Sequence, residues 1–244
     1  YEILTVAIAI TLTTSVFVCV KWRNVRCVGK TPMSLLAFSA ILFTSGLDVG
    51  LIMFPLVEFP VYATEEAYSF TNPLAIEFGF WGFLVWAFYF LTTFYFCVVE
   101  PKLGLFQYRP IRWINNLIII ATCAFTAYLF LSYVPSYIAG ISLFQQYLLV
   151  GLIIFIGVFS STDIRYIKLL SLGSSALFIV LTLVMLGASG TSVSGYLESM
   201  ANLTGYFENI HRFISPISDY HGWYLSWWFA WSIMIGQFVA RFVC

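Results

Sequence analysis

Long apolar runs are the feature that most limits how this chain can fold. Seven runs have the length of a membrane-spanning helix, about 20 residues, and short polar or Pro/Gly-containing segments separate them. They cover about 2–20, 33–57, 78–99, 113–134, 143–161, 167–188 and 223–243. A helix satisfies its backbone hydrogen bonds within one segment, as a bilayer requires. The sequence therefore predicts an all-α, polytopic membrane helix bundle of about seven transmembrane helices, forming a single transmembrane domain over 1–244.

Composition supports this prediction. Apolar residues make up 61% of the 244-residue chain and charged residues only 9%, whereas about a quarter of the residues in a soluble domain are charged. The formal net charge is zero, so the chain lacks the basic excess typical of proteins that bind nucleic acids. We expect membrane lipid as a partner and no nucleic acid.

The basic residues predict an orientation. If seven helices alternate across the membrane, ten of the eleven Lys and Arg residues fall on one side and only Arg212 on the other. That side is the cytoplasm or the mitochondrial matrix by the positive-inside rule. We therefore expect a multi-pass protein of a bacterial or mitochondrial inner membrane, with its N-terminus outside and its C-terminus inside. Most acids, including Glu58, Glu65 and Glu77, are assigned to the outer side.

Two segments depart from the pattern of simple apolar helices. The second run contains Gly46, Asp48 and Gly50, which suit either an unwound helix facing a cavity or a small-residue notch for helix packing. Asp48 at membrane depth is costly, so it is either a functional cation or proton ligand or a structural acid. The other segment, about 195–212, has apolar residues at helical spacing and predicts an amphipathic helix on the outer surface.

Aromatic residues are the main candidates for a binding site. Trp81, Trp86 and Tyr89 lie on the third run, and the seventh carries Trp227, Trp228 and Trp231 in addition to Trp223 at its start. Such rings form either a cage for a quaternary ammonium ion or ordinary packing between helices. No phosphate loop, nucleophile motif or histidine pair for haem accompanies them. We expect no cofactor, no metal site and no enzyme.

Four stretches of sequence resemble the betaine/choline/carnitine transporter family. The most specific is HGWYLSWWFAWSIMIGQFVAR at 221–241, which is similar to the family's GW…WW..W….G.F.AR signature helix. In the same order along the chain, FWGFLVWAFY at 80–89 resembles the family's aromatic segment, and GLDVGL at 46–51, with the later Glu58, resembles its Gly-rich unwound helix. The basic loop at 21–29 resembles the loop before that helix. The similarity corresponds to the second to eighth of the family's twelve helices.

The resemblance implies a partial LeuT-type transporter fold and a set of site residues. Trp81, Trp86, Tyr89 and Trp228 would form an aromatic box for a trimethylammonium group, Trp227 and Trp231 would line the same pathway, and Gly46 to Gly50 would be the unwound cavity segment. The chain differs from the family at Asp48, which replaces a glycine, and the helix at 143–161 has no threonine over 149–160. Sodium coupling is therefore not expected.

Three functions follow as expectations. In the first, the chain is a truncated, transporter-derived accessory subunit that packs with other membrane proteins in a larger complex. In the second, it is the first part of a working secondary transporter of quaternary-ammonium osmolytes. In the third, it binds a choline headgroup or lipid without transport.

Overall fold

The structure is a computed structural model that describes residues 1–26, 33–46 and 58–242, and within these ranges every regular element is a helix. The chain divides into two compact units, and the single transmembrane domain over 1–244 stays a prediction. The first unit contains 1–32, 50–105 and 183–244, and the second contains 33–49 and 106–182.

The first unit is built around two helices that pack along each other. Its elements in chain order are α1 (Glu2–Lys21), α3 (58–64), α4 (Pro73–Trp81), α5 (Phe83–Phe94), α6 (Glu100–Leu103), α10 (Val193–Met200), α11 (Thr204–Glu208) and α12 (Asp219–Phe242). The main packing is α5 against α12. A Cβ atom added to Gly236 would lie 2.7 Å from the backbone of Thr92, so the missing side chain allows this close approach of the helices.

The third predicted span is divided into two helices at Gly82. Asn72 caps α4, since its side-chain oxygen accepts a hydrogen bond from the N–H of Ala75 at 3.0 Å, and Pro73 suits the first helical turn. A Cβ atom on Gly82 would lie 2.2 Å from the carbonyl oxygen of Phe78. The backbone at this break therefore accommodates only glycine, and α5 begins directly after it.

The second unit contains α2 (Leu35–Gly46), α7 (Arg109–Tyr137), α8 (Leu143–Ser160) and most of α9 (Ile164–Ala188). α8 packs along α7 and begins with a capping box formed by Ser142 and Gln145. A hydrogen bond of 2.9 Å between Thr44 and Ser171 joins α2 to α9.

Five helical segments are long and apolar enough to cross a membrane: Glu2–Lys21, Pro73–Leu103, Arg109–Ser136, Leu143–Ser160 and Ile164–Ala188. They coincide with five of the seven predicted runs. The structure describes only 33–46 of the run 33–57. α12 covers 223–242 of the last run but is not among the five, because its tryptophans and polar residues lower its mean hydropathy. The all-helical architecture is thus confirmed, whereas the count of seven spans stays a prediction.

The predicted amphipathic segment at 195–212 is a series of short helical pieces. α10 and α11 are separated by a 3-10 turn at Ala201–Leu203, and a second turn follows at Ile210–Ile214. Tyr206 is buried, whereas most of the apolar side chains expected on one stripe are exposed: Tyr196, Leu197, Met200, Phe207 and Ile210. The segment packs on α4, and its place on the outer membrane surface stays a prediction.

We expect Gly236→Ala to destabilise the protein by about 1–3 kcal/mol, because the added methyl group would clash with the backbone of Thr92 and force the two helices apart. Gly187→Ala in α9 is the matched control, since nothing lies within 4 Å of its added Cβ. Thermal unfolding in detergent, followed by circular dichroism, measures both. Equal melting temperatures for the two variants would contradict the packing described for α5 and α12.

Candidate functional site

α4, α5 and α12 bring together four of the six aromatic residues that the sequence singles out. The ring of Trp228 lies 4.7 Å from that of Trp81 and 6.1 Å from that of Tyr89, between centroids. Trp86 extends the group, with its ring 5.7 Å from Tyr89. We call these four residues the aromatic cluster.

The rings of the aromatic cluster meet edge to face. The interplanar angles are 76° for Trp81 with Trp228, 69° for Tyr89 with Trp228 and 73° for Trp86 with Tyr89. Aromatic pairs favour this arrangement because the positive edge of one ring meets the negative face of the other. Trp228 is almost fully buried, whereas Trp86 is 48% exposed. Trp86 is thus the ring of the cluster with the most accessible surface.

Two indole N–H groups of the cluster have no acceptor among the described residues. The Nε1 atoms of Trp81 and Trp228 are buried and make no hydrogen bond with any described residue. A buried donor without a partner costs free energy. An acceptor oxygen brought into this region would therefore be bound favourably.

Trp227 and Trp231 belong to a different stack. Their rings are nearly parallel, with centroids 5.9 Å apart and an angle of 11°, and Trp223 continues the stack 5.9 Å beyond Trp227. Residues four apart share a face of a helix, while adjacent residues are turned by about 100°. The stack therefore lies on a different face of α12 from Trp228, and its place on a substrate pathway stays a prediction.

An apolar groove of about 780 Å³ runs between α1 and the α4–α5 segment. Its volume lies within the range of small-molecule sites. Trp81 and Trp86 line it, and Ser15 contributes a buried hydroxyl that makes no hydrogen bond with the described residues. The remaining lining is Leu12, Val16, Cys19, Val20, Phe78, Gly82, Phe83, Ala87 and Phe90.

The predicted unwound segment is described only at its start. Gly46 is the last residue of α2, and Asp48 and Gly50 lie outside the described residues. Their proposed contact with a substrate or ion stays a prediction.

Two buried acids form a site that sequence reasoning missed. Glu58 is 2% exposed and Glu77 is 8% exposed, and the outer side of the membrane, to which the sequence assigns both, stays a prediction. Glu58 accepts a hydrogen bond of 2.8 Å from Tyr62 through Oε2, while Tyr220 and Tyr224 both donate to its Oε1. Burial, followed by the charges of Glu77 and Glu58, raises the pKa of Tyr62 above its usual range, so this phenol stays a donor.

His221 lies nearby in the first turn of α12. Its ring stacks on Phe80, with centroids 4.2 Å apart, and its Nδ1 accepts a hydrogen bond of 3.0 Å from the N–H of Ile217. Burial lowers the pKa of His221 to about 3, which agrees with a neutral ring. The described residues include no group of three or more His, Cys, Asp and Glu side chains placed to hold a metal ion.

The chain matches no family model, no curated protein and no solved structure. Its resemblance to the betaine/choline/carnitine transporters therefore rests on the sequence motifs at 46–58, 80–89 and 221–241.

Proposed function

We propose that this protein is a non-catalytic, transporter-derived membrane subunit that packs against other membrane proteins in a larger assembly. It would not transport a substrate alone. The basic residues favour a bacterial or mitochondrial inner membrane, with the N-terminus outside and the C-terminus on the cytoplasmic or matrix side.

The observation that carries this proposal is how little of the second unit's apolar surface is covered. We compare the fraction of residues that are buried within the most apolar 18-residue stretch of each long helix. This fraction is 11% for Arg109–Ser136, 0% for Leu143–Ser160 and 6% for Ile164–Ala188. The corresponding share for Pro73–Leu103 in the first unit is 33%. The second unit thus offers helix surface that its own helices leave uncovered and that lipid or protein must cover.

Small residues on these helices favour protein as the cover. Gly151 and Gly157 on α8, and Gly173 and Gly187 on α9, have no atom within 4 Å of an added Cβ. Small residues let transmembrane helices approach each other closely, which is a main source of helix association in lipid. α8 and α9 therefore carry small-residue surfaces, suited to helix association, with open space beside these glycines.

Gly157→Leu tests this proposal. The wild-type protein, extracted from its native membrane in mild detergent, is expected to migrate on a native gel with other membrane proteins. The leucine has open space within the chain, so we expect an unchanged melting temperature together with loss of the co-migrating proteins, because the side chain would block a partner helix.

Leu152→Ile on the same helix is the matched control, since it alters shape at an exposed position without adding volume. Migration of the wild-type chain alone would contradict the proposal. So would concentrative uptake of betaine or choline by liposomes that contain only this chain.

The aromatic cluster favours a second candidate function, the binding of a quaternary ammonium group such as a choline headgroup. Trp81 and Trp86 both belong to the cluster and line the apolar groove, so a ligand in the groove would meet two indole rings. A diffuse cation is attracted to such ring faces. The rings also pack well on each other, which keeps simple packing as the alternative.

We expect Trp86→Ala to weaken the binding of tetramethylammonium or choline by about 0.5–1 kcal/mol, the size of a cation–π contact at a partly exposed ring, and Trp228→Ala by roughly 1–2 kcal/mol. Titration calorimetry in detergent measures both. Trp113→Ala is the control, since Trp113 is exposed on α7 in the second unit. Equal affinities for wild type and Trp86→Ala would leave the cluster as packing.

A further inference from the structure

Glu58 and Glu77, here called the acid pair, lie side by side in the interior of the first unit. Glu58 is on α3 and Glu77 on α4, and both are more than nine-tenths buried. Tyr62 and Tyr224, which donate to Glu58, pack on Phe80 of α4 with ring centroids 5.4 and 5.6 Å away. Phe80 lies three residues after Glu77, on the same face of α4, so Glu77 faces the region that holds Glu58. Among the described residues, no lysine or arginine pairs with either acid.

The two acids differ in their hydrogen bonds. Glu58 receives O–H bonds from three tyrosines, two on α12 and one on α3. An ionised carboxylate is an acceptor only, so this environment suits a negative charge on Glu58. Neither oxygen of Glu77 makes a hydrogen bond of good geometry with a described residue, so nothing comparable stabilises a charge there.

Charge repulsion then decides the protonation of the pair. Two carboxylates that share a buried site cannot both ionise cheaply, because each disfavours the charge of the other and burial disfavours both. We propose that the acid pair is a buried proton-binding site, in which Glu77 carries one proton and Glu58 is the carboxylate beside it. This assignment is independent of the proposed subunit function.

The other titratable groups around the pair do not compete for this proton. Tyr62, Tyr220 and Tyr224 are donors to Glu58, and Tyr68 also interacts with it. His221 is neutral, and its Nδ1 is occupied by the N–H of Ile217. Glu65 is exposed on the loop after α3. Glu77 is therefore the group that gains or loses the proton.

The site links pH to packing. With Glu77 protonated, α3, α4 and α12 meet around one buried negative charge. Loss of the proton would place a second charge beside the first and push these helices apart. The stabilisation is therefore complete only below the pKa of a glutamate in the unfolded chain, and it decreases as pH rises until the folded pair has lost its proton.

Infrared spectroscopy of the detergent-solubilised full chain tests the proposal directly. We expect the carbonyl stretch of a protonated carboxylic acid at neutral pH, shifted by exchange into D₂O, present in wild type and absent in Glu77→Gln. Glu65→Gln, which removes an exposed acid from the neighbouring loop, should keep the band.

Thermal unfolding gives a second, independent readout. The melting temperature of wild type should fall between about pH 6 and about pH 9, while that of Glu77→Gln should stay nearly constant, because the amide cannot lose a proton. If Glu77→Gln does not fold, Tyr224→Phe serves instead. It removes one donor from Glu58, so the proton should be held to a higher pH in the infrared titration.

Two results would overturn the assignment. One is an infrared spectrum in which wild type shows no carbonyl band of a protonated acid, or shows a band that Glu77→Gln leaves in place. The other is binding of Na⁺ or Ca²⁺, measured by equilibrium dialysis with the cation alone and lost in Glu77→Gln, which would make the pair a metal-cation site.

Discussion

The close approach of α5 and α12 is the contact on which the rest of the first unit depends. Gly236 lets the backbone of α12 come next to that of Thr92, and Phe88 packs on Phe229 with ring centroids 5.0 Å apart. Because the axes of α5 and α12 are so close, the large side chains elsewhere along the interface between these two helices contact each other. The aromatic cluster is thus a consequence of helix packing before it is a candidate binding site.

The two units satisfy the demands of a bilayer to different degrees. Both keep their backbone hydrogen bonds inside helices, as a lipid environment requires. Among the described residues, only those of the first unit form a substantial interior, with polar groups such as Glu58 and Tyr224 buried in it. The helices of the second unit have few buried side chains, so lipid or protein neighbours must make up much of their environment.

The sequence was informative where a property repeats along one helix. Runs of apolar residues predicted the helices, and aromatic spacing on the third and seventh runs selected four residues that do meet in space. The sequence did not show that Trp228 joins the aromatic cluster while Trp227 and Trp231 do not, because which face of α12 meets the cluster depends on where α5 packs. It also gave no sign that a glycine at 82 would divide the third run.

The acid pair could not be found this way. Glu58, Glu77 and the tyrosines of α12 are up to 166 residues apart in the chain, and an acid in a short polar segment looks the same whether exposed or buried. One local signal was present, since Tyr220 and Tyr224 share a helix face, as do Glu58 and Tyr62. That spacing aligns phenols but does not identify what they bind.

Tyr224 connects the two parts of the first unit that carry chemistry. Its hydroxyl donates to Glu58, and its ring packs 5.7 Å from that of Trp81 in the aromatic cluster. A ligand that displaced Trp81 would therefore disturb the ring that positions a donor to the acid pair. Because coupling between two binding equilibria is reciprocal, the protonation of Glu77 would in turn alter the affinity of the cluster for that ligand. The affinity for a quaternary ammonium ion should therefore depend on pH. If the ring of Tyr224 transmits this effect, Tyr224→Ala should abolish the pH dependence, whereas Tyr224→Phe should keep it with its midpoint at a different pH.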